Sequence, residues 1–202
     1  MLSTIKLAFR HLDPNTLTIL YKAYVLPFLD YCCMVWTPFN VKDIEVLEKV
    51  QRRFTRMLPD YRHLPYDFRL RCYKLSSLYA RRLFLDLLCV CKIIRGLVDI
   101  NPSNLFKFNT DLRTRGHRFK ILSVSSRLDI RHHWLSSRIV PFWNYLPASC
   151  VEFSTVKSFK RHLWLHFSSL EIKQTYPFPF FIRVAPLLVL LSPDQFSSSS
   201  SV

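Results

Sequence analysis

The sequence predicts a mostly α chain: a small helical bundle with one short β-hairpin and a disordered C-terminal tail. Three observations carry that expectation. Apolar residues recur at helical spacing in several segments between Asp13 and Arg95 and again after His133. Prolines and small polar residues stand where helices would begin or end. That periodicity gives way to alternation in one basic stretch, and to a proline- and serine-rich texture at the end. The stretch "DPNTLTILYKAYVLPFLDYCCMVW" opens with Asp13 as an N-cap and Pro14 at the first helical position, and Pro27 kinks or divides the helix that follows. A second helix is predicted from Val41 to Leu58, ended by Pro59 and Asp60, and a short third from Pro65 through Leu70. "SLYARRLFLDLLCVCKIIR", Ser77 to Arg95, is apolar over most of its circumference, which predicts a helix central to the core with Gly96 as its C-terminal cap.

After Asn101, "RTRGHRFKILSVSSRLDIR" alternates apolar and polar residues at Phe119, Ile121, Leu128 and Ile130, as two short strands would, and predicts the hairpin. "WLSSRIVPFWNYL" returns to helical spacing with Pro141 interrupting it, and "STVKSFKRHLWLHF" predicts a last helix capped by Ser154. From Tyr176 the chain joins a proline-broken apolar run to a serine run. Its apolar part, Phe178 to Leu191, falls short of the roughly 20 residues a spanning helix needs. Four regions follow: 1–100 helical, 101–131 a basic linker or hairpin, 132–170 C-terminal helices, and 171–202 a low-complexity tail expected to be disordered.

The formal net charge of +15 over 202 residues favours a polyanionic partner, nucleic acid before an anionic membrane surface. Gly96 and Gly116 are the only glycines, which excludes a Walker-type phosphate loop and a GxGxxG dinucleotide turn, both of which need several. Six cysteines, Cys32, Cys33, Cys72, Cys89, Cys91 and Cys150, sit mostly in apolar runs with no CxxC pair and no secretory signal, so reduced thiols in an intracellular protein, nuclear or cytoplasmic, are expected. No metal site and no cofactor are expected. His162 and His166 lie one helical turn apart but lack the Glu of an HExxH site.

Metal-dependent polymerases and nucleases need closely grouped carboxylates. Here no two acidic residues are adjacent, and the nearest pairs, Asp43 with Glu45 and Glu45 with Glu48, read as ordinary helix-surface partners of Lys42, Lys49 and Arg52. No nucleophile-elbow sequence accompanies the serines and histidines. Catalysis by this chain, and a small-molecule substrate, are therefore not expected.

The sharper pattern is "VLEKVQRRFTRML". At about 100° per residue Lys49, Arg52, Arg53 and Arg56 share one sector, with Ile44, Leu47, Val50, Phe54, Met57 and Leu58 opposite. A basic face of this kind either is solvated or meets an anion. A second basic set, Arg113, Arg115, Arg118 and Lys120, falls in the predicted hairpin. Trp36, Trp134, Trp143 and Trp164 read as core residues rather than base-stacking platforms.

Several segments together resemble the region downstream of the catalytic palm in reverse transcriptases of non-LTR (LINE-type) retrotransposons. They are "LYKAYVLPFLDYCCMVWTP" at Leu20 to Pro38, "DIEVLEKVQRRFTRMLPDYRHLPYDFRL" at Asp43 to Leu70, "TRGH" at Thr114 to His117 and "SRLDIRHHWLSSRIVPFWNYLP" at Ser126 to Pro147, in the family's order. The resemblance implies a thumb-like helical unit and the segment after it, with the palm and its paired aspartates upstream of Met1. It implies a non-catalytic fragment of an RNA-directed DNA polymerase. Such a fragment would hold an RNA–DNA hybrid or RNA through its backbone, without sequence preference, beside the missing palm of a parent polymerase. For Lys49, Arg52, Arg53, Arg56, Arg113, Arg115, Arg118 and Lys120 it implies phosphate contact. Asp60 where the family usually has glycine, Phe68 where it has an acid, Pro141 inside a helical pattern and a tail without family likeness point to a truncated or decaying copy. Two rival readings remain: a translated remnant of a decayed retroelement with no biochemical role, and a basic protein that associates with membrane surfaces through its tail.

Overall fold

The computed structural model describes residues 2–9, 13–109, 116–152 and 155–170. The predicted disordered tail, the cap Ser154, and Arg113 and Arg115 of the basic set lie outside them.

The N-terminal helices are α1 (Leu2–Ala8), α2 (Pro14–Tyr24), α3 (Leu26–Asp30) and α4 (Val41–Thr55). The Asp13 carboxylate accepts from the amides of Asn15 and Thr16, satisfying two of the donors that a helix start leaves open. Pro27 sits in the first turn of α3, so it divides this stretch rather than kinking one long helix. A single 3-10 turn at Pro59–Tyr61 leads to α5 (Tyr66–Cys72) and α6 (Leu78–Ile94). The Ser77 hydroxyl accepts from the Ala80 amide at the start of α6. At its end Gly96 takes φ +66°, and the Leu97 amide reaches back to the Lys92 carbonyl, a left-handed cap that suits glycine. Short helices follow: α7 (Pro102–Leu105), α8 (Asp129–His132), α9 (Leu135–Arg138), α10 (Val140–Tyr145) and α11 (Ala148–Val151). The last is α12 (Val156–Leu170), where the Thr155 hydroxyl accepts from the Ser158 amide as an N-cap does.

The described residues form two compact units. One takes those of 1–33 and 38–81 with the end of α12 from Phe167, and the other takes Met34–Thr37 and Arg82–His166. In the first, Leu17, Tyr21, Phe54, Leu70, Tyr73 and Leu78 are buried in one apolar cluster. The Tyr21 and Phe54 rings stack at 4.0 Å, and Phe54 tilts against Tyr73 at 5.1 Å. Aromatic packing of this kind adds to plain area burial. Asp30 at the end of α3 pairs with Arg81 at 2.7 Å.

In the second unit Phe84, Leu87, Val90, Ile139, Trp143, Phe159 and Leu163 are buried. Arg138 makes a two-nitrogen contact with Asp86 and also donates to the carbonyls of Met34 and His133. Burial pushes the Asp86 carboxyl up to about 6, against the opposing pull of Arg138.

Two expectations are corrected. The hairpin of 101–131 is absent: no β-strand exists among the described residues, where one isolated antiparallel bridge joins Phe108 to Ile121. Leu128 and Ile130, read as a strand, lie at and within α8 and are mostly exposed, so their alternation marks no buried face. Ile121 is buried instead against a side chain. Asn144 accepts from its amide at 2.9 Å and donates to its carbonyl at 2.7 Å, supplying the two hydrogen bonds that a partner strand would have made. The second correction concerns α4, which stops at Thr55 rather than Leu58. Arg56 takes φ −94°, ψ 2°, and leads the chain into the Pro59 turn, where a further helical turn would clash with the proline.

These corrections give a stability test. Asn144→Ala leaves the buried amide and carbonyl of Ile121 unpaired and should cost about 1–3 kcal/mol in urea unfolding. Ile130→Ser, at an exposed position, should stay within about 0.5 kcal/mol. Equal losses at both positions would contradict the pairing of Ile121 with Asn144.

Candidate nucleic-acid interface

Helix α4 has 15 residues and is therefore about 22 Å long. Lys49, Arg52, Arg53 and, just past its end, Arg56 are all exposed. The buried face opposite them is not the apolar stripe expected. Of that stripe only Phe54 is fully buried, while Leu47, Val50, Met57 and Leu58 pack partly buried at the margin of the core. The centre of the face is held by Glu48, Gln51 and Thr55, at 7%, 1% and 0% exposure.

Each of these polar residues has partners from elsewhere in the first unit. Tyr21 donates its hydroxyl to Gln51 at 2.9 Å, and the Gln51 amide donates to the Ser76 carbonyl at 2.6 Å. Tyr66 donates to one oxygen of Glu48, and the Leu78 amide donates to the other at 3.1 Å. Glu48 thus caps the start of α6 from a different helix, where a carboxylate suits the positive helix end. Thr55 accepts from Arg69 Nε at 3.1 Å.

Burial pushes the Glu48 carboxyl up, while the Tyr66 hydroxyl, the Leu78 amide and Arg52 pull it back part of the way. The expectation that Glu48 is a surface partner of Lys49 or Arg52 is corrected by this placement. Its burial also removes a negative charge from the outer face. Asp43 and Glu45 are exposed near the start of α4, and from Lys49 to Arg56 every exposed ionisable group is a cation.

Around the cations, contacts are light. Arg53 reaches Ser3 at 3.4 Å, Arg52 stands 5.2 Å from the centre of the Tyr66 ring, and the Arg56 carbonyl accepts from Arg62 Nε at 3.2 Å. Arg52 and Arg53 also lie in the last turn of α4, where cations offset the helix dipole, and that alone gives them a structural use.

The second basic set belongs to the second unit. Arg118 is exposed with its guanidinium 4.9 Å from the Phe119 ring centre, and Lys120 is half-buried. Gly116 takes φ +112°, and a Cβ there would come within 2.9 Å of Lys120 Cε, so the lysine stem lies against the glycine. His117 of the TRGH stretch is buried, with Nε2 3.0 Å from the Trp143 carbonyl and Nδ1 unpartnered. A carbonyl partner requires the proton on Nε2. Burial holds this imidazole below its usual pKa, which favours that neutral form.

Of the tryptophans read as core, Trp143 is buried, with its indole donating to the Phe119 carbonyl at 2.8 Å. Trp134 is exposed, and Trp36 is partly exposed beneath Arg82 at 4.1 Å. Among the described residues no group of three or more His, Cys, Asp or Glu is placed to hold a metal ion. Nor is any helix there long and apolar enough to cross a membrane. The six cysteines carry free thiols.

The Glu48 site carries its own pH signature. Its folded pKa lies above the ordinary value of 4.5, so its contribution to stability is complete below that pH and is lost as pH rises through the folded value. Glu48→Gln keeps one oxygen for the Leu78 amide and resembles the protonated acid, so at low pH it should stay within about 1 kcal/mol of the native chain. It should also show a shallower decline as pH rises above the ordinary carboxyl value, because Gln does not ionise. Urea unfolding at half-unit pH steps reads both, and parallel curves for the two proteins would show that Glu48 does not titrate in this range.

No protein-family model, curated protein or solved structure matches the chain.

Proposed function

We propose that this chain is a non-catalytic, thumb-like piece of a non-LTR retrotransposon reverse transcriptase, and that it holds an RNA–DNA hybrid or RNA by its phosphate backbone. The observation that carries the reading is the outer face of α4, with Lys49, Arg52, Arg53 and Arg56 exposed and Glu48 turned inward. The ordered resemblance of residues 20–38, 43–70, 114–117 and 126–147 to the post-palm region of that family supports it. So does the net charge of +15. Cations on a rigid helix follow successive phosphates and hold a duplex in place without reading its sequence. Arg118 and, outside the described residues, Arg113 and Arg115 would add contacts of the same kind. The second reading, a remnant that kept its helices and lost any role, is favoured by Asp60, Phe68 and Pro141 at positions where the family differs.

Replacing Lys49, Arg52, Arg53 and Arg56 together by Gln tests the proposal, since Gln keeps helix propensity and removes charge. If all four meet phosphates, their share of the slope of log affinity against log salt is roughly −3 to −4. Fluorescence anisotropy with hybrids of unrelated sequence should show uniformly weaker binding and a slope flatter by that amount. A folded variant with an unchanged slope would return α4 to a solvated face, and no saturable binding by the native chain would favour the remnant.

A further inference from the structure

The corner where α4 turns into α5 holds a charge arrangement that the four-cation face does not explain. Arg69, in α5, is 2% exposed and has no carboxylate partner among the described residues. Its Nε donates to Thr55 and its Nη1 to the Leu64 carbonyl, while Nη2 is buried and unpartnered. A buried guanidinium without an acid is costly, and folded chains seldom keep one without an anion nearby.

The surroundings add positive charge instead of relieving it. Arg52 and Arg69 both stand over the Tyr66 ring, at 5.2 and 5.5 Å from its centre. Arg62, exposed, is tied by its Nε to the Arg56 carbonyl, which fixes these two residues beside each other. The charge of Arg56 bears directly on Arg69, second only to burial in holding its pKa down. Asp60 and Asp67 are close in sequence, yet neither forms an ion pair with any of these arginines. Tyr73, the C-cap residue of the same helix, also has a buried hydroxyl without a partner.

We infer that this corner is a seat for one phosphate group, held at the surface by Arg56 and Arg62 and drawn there by the fixed charge of the buried Arg69, which bears on Arg56. Arg69 is a positioning residue: its Nη2 is covered, so it acts through its field and by bracing the end of α4 through Thr55. Planar guanidinium groups suit a phosphate's several oxygens better than ammonium groups do. The site goes beyond the duplex reading, because Arg62 and Arg69 are outside the four-cation face and a free phosphate would fit as well as a backbone one.

The test measures thermal unfolding of the full chain in inorganic phosphate against chloride at equal ionic strength. A ligand bound only by the folded state raises the midpoint as its concentration rises. The native chain should gain more from phosphate than from chloride. Arg62→Gln and Arg69→Met should each weaken the apparent phosphate affinity about tenfold, the scale of one charge-assisted contact. Arg69→Lys should stay within about threefold because it keeps the charge. Arg69→Met also strands Thr55 and the Leu64 carbonyl, so its midpoint in chloride should fall, and its phosphate response is read as the shift from its own chloride midpoint.

Phosphate acting only as an excluded salt would stabilise all variants alike, and that result, or no difference between phosphate and chloride in the native chain, overturns the inference. Should Arg69→Met fail to fold, the exposed Arg62→Gln decides. Hybrid binding separates the two proposals. A phosphate response that is lost in Arg62→Gln, together with no hybrid binding, leaves the seat standing and the duplex reading refuted. Hybrid binding with the full salt slope and no phosphate response does the reverse.

Discussion

The rotation of α4 about its own axis is fixed by buried hydrogen bonds, and the exposure of its cations follows from that. Phe54 supplies the apolar anchor, but an aromatic side chain alone tolerates some rolling. Glu48 bonded to Tyr66 and the start of α6, Gln51 between Tyr21 and Ser76, and Thr55 with Arg69 leave no such freedom. Turning the helix by one residue would expose some of these groups and strand their partners, and each stranded buried group costs about 1–3 kcal/mol. Directional bonds therefore do here what a uniform apolar stripe could not. They hold Lys49, Arg52, Arg53 and Arg56 outward together.

The same seam joins helix packing to electrostatics. Glu48 leaves the outer face and becomes the cap of α6, so a single placement both closes a helix start and strips an acid from the basic surface. At the other end of the seam, Thr55 holds Arg69 under the corner from which Arg56 and Arg62 project. The burial of polar groups is unfavourable unless every one is satisfied, and in α5 and its C-cap Arg69 Nη2 and Tyr73 Oη are buried without a partner.

What was legible in the sequence was local. Asp13 before Pro14 announces the start of α2, and Gly96 after an apolar run announces the end of α6, because each signal acts on amides or carbonyls within a few residues. The exposure of the four α4 cations could be read from their shared sector. The polar seam could not, since Glu48, Gln51 and Thr55 are ordinary helix-surface types and the residues that make them core partners lie 14 to 30 positions away. The one available clue was Tyr21 and Tyr66 inside apolar patterns, for a buried tyrosine hydroxyl needs an acceptor. The hairpin failed for a related reason. Alternation at Leu128 and Ile130 looks like a half-buried strand, but those side chains are mostly exposed, and Ile121 finds its hydrogen bonds on Asn144.

Arginine modification by phenylglyoxal, read residue by residue by mass spectrometry, tests most directly whether the seam presents α4 outward to a phosphate backbone. In the free chain Arg52, Arg53 and Arg56 should react readily and Arg69 should not. Saturating RNA–DNA hybrid should suppress the three without unmasking the fourth. Equal reactivity of Arg69 and Arg56 in the free chain would contradict the buried seam, and unchanged reactivity of the three in the presence of hybrid would contradict the interface.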